Sequence, residues 1–282
     1  MKTAFLFPGQ GAQFVGMGKD LDTAHRMLDI ASDVLGYNLK QICFDGPDAE
    51  LKKTENAQPA ILTVSLAMLE SMDGSPDMVA GHSLGEYTAL VASGVLKFEQ
   101  AVRLVHVRGM LMERAVPDGE GTMAAIVGLE ASVLRDLCAA DHGIVELANL
   151  NCPGQIVISG QTPAVKRVCE SAQAAGAKRA IVLDVSGPFH SSLMKGMVES
   201  FEKELNKYLL HDAMIPVVEN VIADYVREAA EIKQLLIRQI SSPVLWQKSV
   251  EKMAEDGVTE FKEVGPGNVL TGLVKRTLKK KE

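Results

Sequence analysis

The chain of 282 residues is 47% hydrophobic and 23% charged, the balance of a folded globular protein long enough to divide into two units. Its net charge of −7 excludes wholesale nucleic-acid binding, which needs a basic footprint, and no uninterrupted apolar run approaches the ~20 residues of a membrane span. Cys43, Cys138, Cys152 and Cys169 stand apart without a C-x-x-C pair, so buried free thiols are expected, with no disulfide framework and no metal site.

Residues 3–7 form a short apolar run that reads as a buried strand. No charged and apolar leader of the secretory kind is present, and a cytoplasmic protein is expected. Pro8-Gly9-Gln10-Gly11-Ala12-Gln13 then breaks the strand. This turn lacks the Lys-Ser/Thr ending of a phosphate loop and is too short for the dinucleotide fingerprint, which argues against nucleotide binding. Its other use is an exposed backbone N–H near Gln10, available to an oxyanion. Leu21, Ala24, Leu28, Ala31 and Leu35 recur at helical spacing before Gly36. Asp45-Gly46-Pro47-Asp48 reads as a polar connection, and Pro59 as the first turn of a helix over 59–72.

Next comes Gly81-His82-Ser83-Leu84-Gly85-Glu86-Tyr87, a G-x-S-x-G pattern. A short apolar run precedes it, and a helix-like run ending at Gly94 follows. Strand, serine, helix is the arrangement a nucleophilic serine needs, because the tight turn projects the hydroxyl and the helix start offers free N–H groups. The spacing predicts a further helix over 98–116 carrying Arg103, His106, Arg108 and Arg114. Arg103 and Arg108 lie about 140° apart around such a helix, so at most one of them faces a common site.

Pro117-Asp118-Gly119-Glu120-Gly121 marks a boundary. Beyond it the pattern reads strand 123–127, helix 131–140, strands 145–150 and 155–159, helix 163–175 and strand 179–185, a βαββαβ order of the ferredoxin-like kind. Asn151-Cys152-Pro153-Gly154 is the hairpin turn within it. The expected organisation is a discontinuous large domain, 1–119 and 187–282, with a small subdomain, 120–186, inserted into it. The large domain is expected to be α/β-hydrolase-like, with a mostly parallel sheet and helices on both faces. A helix from 192 towards 208, a strand near 215–218, helices 228–239 and 244–255, a strand 259–264 and a final helix complete the chain. The basic Lys275, Arg276, Lys279, Lys280 and Lys281 read as a solvated terminus.

Serine needs a base, and histidine titrates in the right range. His25 lies on a surface-type helix, and His142 and His211 sit in polar turns. His82 adjoins Ser83 but points the opposite way in extended backbone. His190, in Gly187-Pro188-Phe189-His190-Ser191 at the return to the large domain, has access to the cleft between domains. Asp184 falls between serine and histidine, the chain order of α/β-hydrolases, but stands near a strand end of the inserted unit. A backbone carbonyl is the other way to orient the imidazole.

Phe7-Pro8-Gly9-Gln10-Gly11, Gly81 to Tyr87, Arg108, Asn149 to Gln155, Gly187 to Ser191 and Val264-Gly265-Pro266-Gly267 stand in the order found in malonyl-CoA:acyl carrier protein transacylases, which the chain resembles over nearly its whole length. The acyltransferase domains of polyketide and fatty acid synthases share the pattern, and the length suits a free-standing enzyme. The resemblance implies a ping-pong transfer in fatty acid or polyketide synthesis, without a cofactor beyond the CoA moiety of the substrate. Ser83 would attack malonyl-CoA, His190 would act as base and then acid, and acyl carrier protein would take the malonyl group. It also implies an oxyanion hole at the backbone N–H groups of Gln10 and Leu84. The main-chain carbonyl of Gln239 would hold His190. Arg108 would grip the malonyl carboxylate, which a guanidinium fork binds bidentately. Phe189 resembles the bulky residue that limits space beside the α-carbon, while Pro188 stands where the family often has a small residue. Lys178 and Arg179 are candidates for meeting an acidic carrier protein. Parts of the pattern alone also fit a serine hydrolase or thioesterase, or a non-catalytic carrier-protein docking subunit.

Overall fold

The computed structural model describes residues 2–279, which contain nine strands: β1 (Lys2–Phe7), β2 (Met78–Gly81), β3 (Gly121–Val127), β4 (Val145–Cys152), β5 (Gln155–Gln161), β6 (Arg179–Val182), β7 (Val217–Val218), β8 (Tyr225–Val226) and β9 (Val258–Glu263). They form two sheets. One has the order β8-β7-β2-β1-β9, parallel except for β8 at its edge; the other is antiparallel, β4-β5-β3-β6.

The parallel sheet is covered on both faces, as parallel sheets must be. Alternation along β1 shows how: Phe5 and Phe7 join Ile61, Leu104 and Phe201 in one apolar cluster, while Ala4 and Leu6 join Trp246, Leu270 and Leu273 in another. The helix Thr54–Glu70 has buried residues around its whole circumference, Asn56 to Ala67 without a break, so it has no solvent face along that stretch. Helices Asp22–Leu35 and Phe98–Arg114 pack against it. Gly36 ends the first of these in a left-handed cap, φ 77°.

That central helix begins five residues earlier than its proline suggested. Pro59 is inside it, and the start is instead secured by Glu113 Oε1, which accepts the Thr54 N–H at 2.6 Å. An interior proline leaves the carbonyl four residues back without a helical donor. Here that carbonyl, of Glu55, accepts from His106 Nδ1 at 2.9 Å. Tertiary satisfaction of the orphaned group removes the reason for the helix to start at the proline. Two short helices, Leu39–Asp45 and Asp48–Lys52, flank the Gly46-Pro47 turn where only a polar connection was expected. The segment from Ser192 divides into a 3₁₀ turn, Ser192–Met197, and an α-helix, Val198–Leu205.

In the antiparallel sheet, β4 and β5 are joined through the two-residue turn Pro153-Gly154, with Gly154 at φ 69°. Helices Ala131–Ala140 and Thr162–Ala174 bury Leu134, Val165 and Val168 against Ile126, Ile156 and Ile158. The two sheets meet where β4 passes the segment before the helix Trp246–Glu255: Leu150 N–H donates to Val244 O and Val244 N–H to Ala148 O, both at 2.9 Å. All four cysteines are buried and unpaired. Lys275, Arg276 and Lys279 are exposed, and the remaining lysines of the basic tail, Lys280 and Lys281, lie outside the described residues. Among the described residues no helix is long and apolar enough to cross a membrane, and no cluster of potential metal ligands occurs.

Candidate active site

The carboxyl ends of the parallel strands converge on one crevice, the usual place for ligands in such sheets. Gln10 follows β1, Ser83 follows β2, and Glu219 and Asn220 follow β7. The turn after β2 is as tight as covalent geometry allows. A Cβ on Gly81 would lie 1.8 Å from the Gly85 carbonyl carbon, and one on Gly85 would lie 2.0 Å from the Phe7 carbonyl oxygen. Both positions therefore exclude any side chain. Between them Ser83 has φ 52° and ψ −102°, a conformation a non-glycine residue adopts only when its surroundings impose it, at about 1–3 kcal/mol. His190 carries the same kind of strain, φ 59°.

These two strained residues meet. Ser83 Oγ lies 2.7 Å from His190 Nε2, and His190 Nδ1 lies 3.0 Å from the main-chain oxygen of Gln239. A carbonyl only accepts, so Nδ1 carries the proton and Nε2 offers its lone pair to the Ser83 hydroxyl. Burial, reinforced by the Arg108 charge, pushes the His190 pKa down to about 3, which keeps the ring neutral at physiological pH. Asp184 lines the mouth of the cavity, and the carbonyl of Gln239, not this carboxylate, orients the imidazole.

Arg108 projects from the helix Phe98–Arg114 into the same place, only 1% exposed. Its Nη1 donates to Gln58 Oε1 at 2.8 Å, and Nη2 donates to Gln239 Oε1 at 2.9 Å and to Ser83 Oγ at 3.1 Å. The guanidinium carbon stands 5.1 Å over the Tyr87 ring, a cation–π contact. Arg103, as the helical angle requires, points elsewhere and donates to Val34 O. His82 turns away from the hydroxyl: its Nε2 lies 2.8 Å from Asn151 Oδ1 and its ring packs against Trp246.

Gln10, Leu84, Arg108, Phe189, His190 and Ser83 line one cavity of about 430 Å³. Leu84 is the first residue of its helix, and among the described residues neither its N–H nor that of Gln10 is donated to a protein group. The Gln10 side chain is tied back to Thr54 Oγ1 at 3.2 Å. Phe189 is buried and forms part of the apolar wall with Met112, Met123 and Leu183. Pro188 packs on the start of β3, where a Cβ at Gly121 would meet its ring at 2.5 Å. Lys178 and Arg179 stand outside the cavity at the start of β6.

Four polar residues of this site were given no role by the sequence reading: Glu86, inside the Gly81–Tyr87 stretch, and Gln58, Glu219 and Asn220, outside every motif. Asn220 clamps the serine turn, its Oδ1 accepting the Ser83 N–H at 2.8 Å and its Nδ2 donating to Gly81 O at 2.7 Å. The one local signal was its place just after a short apolar strand, where a parallel sheet presents its ligand-facing end. Gln58 had no signal beyond being polar in an otherwise apolar helix.

A serine on a strand–turn–helix elbow, hydrogen-bonded to a neutral histidine beside unused backbone N–H groups, is the equipment of acyl transfer through an ester. The family model described as acyl transferase domain matches residues 4–282, and the chain belongs to that family. It is 52% identical to the malonyl CoA-acyl carrier protein transacylase of Bacillus subtilis strain 168, over 98% of this chain and 90% of that protein. Among solved structures it is similar to an acyl carrier protein S-malonyltransferase from Vibrio cholerae, with TM-score 0.95, 44% identity and coverage of 100% of this chain and 95% of that one. A malonyl-transacylase in complex with the acyl-carrier protein of a type II polyketide synthase superposes with TM-score 0.96 at 43% identity, covering 99% and 93% of the two chains.

Proposed function

We propose that this acyltransferase moves the malonyl group from malonyl-CoA to the phosphopantetheine thiol of acyl carrier protein through a malonyl ester on Ser83, in fatty acid or polyketide synthesis. The observation that carries the reading is a buried guanidinium 3.1 Å from a serine hydroxyl that is itself 2.7 Å from a neutral imidazole. Such a site suits an acyl group ending in a carboxylate.

In the first half-reaction His190 Nε2 takes the hydroxyl proton as Ser83 Oγ bonds to the thioester carbon. The resulting oxyanion lies against the N–H groups of Gln10 and Leu84, each worth about 3–4 kcal/mol by analogy with other oxyanion holes. The C–S bond then breaks, and the CoA sulfur leaves with the proton from His190. In the second, the carrier thiol gives its proton to His190 and its sulfur attacks the ester. Oγ departs and recovers the proton. The Gln239 carbonyl holds the imidazole in one tautomer throughout. As the malonyl carboxylate pairs with Arg108, it offsets the positive charge that depresses His190, so substrate binding makes the base stronger. Phe189 crowds the α-carbon and disfavours a methyl branch by about 1–3 kcal/mol.

The chemistry needs no metal and no cofactor other than the CoA moiety, and we assign the enzyme to the cytoplasm. The division into a large domain, 1–119 and 187–282, and a small one, 120–186, is supported by the two sheets and by the apolar cluster between the antiparallel sheet and its two helices, which draws on residues 120–186 alone. The parallel sheet with its serine elbow supports an α/β-hydrolase-like class for the first. The antiparallel order β4-β5-β3-β6 supports a ferredoxin-like βαββαβ reading of the second.

Mass spectrometry of the denatured protein after mixing with malonyl-CoA is expected to show a malonyl adduct on Ser83, lost on adding holo acyl carrier protein with malonyl appearing on the carrier. Release of free malonate at the same rate would establish a hydrolase instead. Absence of any adduct at neutral pH would leave only a docking role.

A further inference from the structure

The polar network behind Ser83 extends beyond the groups that touch substrate. Glu86 lies on the first turn of the helix Leu84–Ala92 and is fully buried. Its Oε1 accepts from Gln239 Nε2 at 2.9 Å and its Oε2 from the Asn220 main-chain N–H at 2.6 Å. These two partners hold the reacting groups. Asn220 clamps the backbone on both sides of His82, at Gly81 and Ser83; Gln239 gives its carbonyl to His190, its side-chain oxygen to Arg108 and an amide N–H to Ser83 O.

Glu219 precedes Asn220 at the end of β7, is also fully buried, and its carboxyl meets that of Glu86. Among the described residues no N–H or hydroxyl donor reaches either of its oxygens. Two carboxylates in contact within an interior do not both ionise. Each oxygen of Glu86 already accepts an N–H, whereas Glu219 has none to accept. The proton between them therefore belongs to Glu219, which donates it to Glu86.

Resting on the acyl-transfer reading of the site, we infer that Glu86 and Glu219 form a singly protonated acid pair in which anionic Glu86 positions Ser83, His190 and Arg108 through Asn220 and Gln239, and Glu219 supplies the proton that makes this arrangement tolerable. Both are positioning residues. The charges close at one anion against the one guanidinium of Arg108, where full ionisation would set two against one. Burial raises the Glu86 carboxyl, against the opposing pull of the Asn220 N–H, the Glu219 hydrogen bond and the Arg108 charge, and burial together with Glu86 raises Glu219 well above the carboxylate range, with Glu231 adding to it. The Tyr87 phenol also faces the pair and is uncharged at neutral pH because burial raises its pKa.

The pair is tested on the full-length enzyme with Glu219→Gln and Glu86→Gln. Glutamine at 219 keeps a donor towards Glu86, so kcat is expected to fall by less than about threefold. Glutamine at 86 turns an N–H towards the Asn220 or Gln239 donor, and kcat is expected to fall roughly 10- to 100-fold. The infrared carbonyl band of a protonated carboxylic acid should be present in the wild-type enzyme at neutral pH and absent from Glu219→Gln. Linkage gives a third readout. A carboxyl whose folded pKa is raised holds a proton that the unfolded chain has lost, so it makes stability decline as pH rises above about 4.3 towards the folded value. The wild-type Tm should fall with rising pH more steeply than that of Glu219→Gln. Retention of the infrared band or of the full slope in Glu219→Gln, or a Glu86→Gln enzyme as fast as wild type, overturns the pair. Should Glu86→Gln fail to fold, the band and the slope decide. Should the wild-type enzyme transfer no malonyl group, the reading of the function falls while the band still decides the protonation.

Discussion

Ile126, Leu134, Ile158, Val165 and Val168 fill the space between the antiparallel sheet and its two helices, whereas behind β2 and β7 the parallel sheet encloses Glu86, Arg108, Glu219, Asn220 and Gln239. The first interior follows from hydrophobic periodicity, because each side chain needs only to be apolar and of suitable size. The second is tolerable only as a set. A buried guanidinium or carboxylate deprived of one partner loses a charge-assisted hydrogen bond and keeps its desolvation penalty. Substitutions in the two regions should therefore differ in kind: one set lowers stability smoothly, the other acts on the reaction.

Arg108→Ala should have the largest effect. Malonyl transfer is expected to lose roughly 100- to 1,000-fold in kcat/KM, as removal of a buried charge-assisted pair implies, with acetyl transfer reduced far less. Comparable losses for both acyl groups would make Arg108 structural. The same variant removes the second-largest of the causes that depress His190. Since a base is lost as pH falls through its pKa, the acid limb of residual acetyl transfer should move to higher pH than in the wild-type enzyme. An unmoved limb would separate His190 from the Arg108 field.

In the apolar interior, Ile158→Val removes one methyl group from a fully buried position of β5. Denaturant unfolding should report a loss of about 1 kcal/mol, with kcat/KM within error of wild type. A loss of activity larger than the loss of stability would couple the small sheet to the reaction and erase the contrast. At the surface the smallest effect is expected. Reversing the charge of both Lys178 and Arg179 should raise the KM for acyl carrier protein several-fold at low salt and leave the KM for malonyl-CoA alone. No change in the carrier KM would remove this edge of β6 from the docking surface.

The local parts of the molecule were legible in the residues themselves. Gly81 and Gly85 announced the elbow around Ser83, periodicity located most helices, and the β4–β5 turn carried its Pro-Gly signature. Arg108 and the Gln239 carbonyl became legible only through resemblance to a known family, since helical spacing distinguished Arg108 from Arg103 by angle but did not say which faced the crevice. Pro59 shows the opposite failure, a reliable local rule overridden because His106 meets the carbonyl that the proline orphans.

Sequence by itself determined what each stretch could be: a strand buried on both faces, a turn that admits no side chain, a helix start with free N–H groups. Only the tertiary structure decided which groups share the crevice. Ser83 meets His190 across 107 residues of chain, and Asn220 across 137. The physical reason is that a buried polar group is defined by its partners. Glu219 and Gln58 have no pattern of their own and Glu86 stands inside one that gives it no task; each acquires a role only when folding places a donor, an acceptor or a charge within about 3 Å.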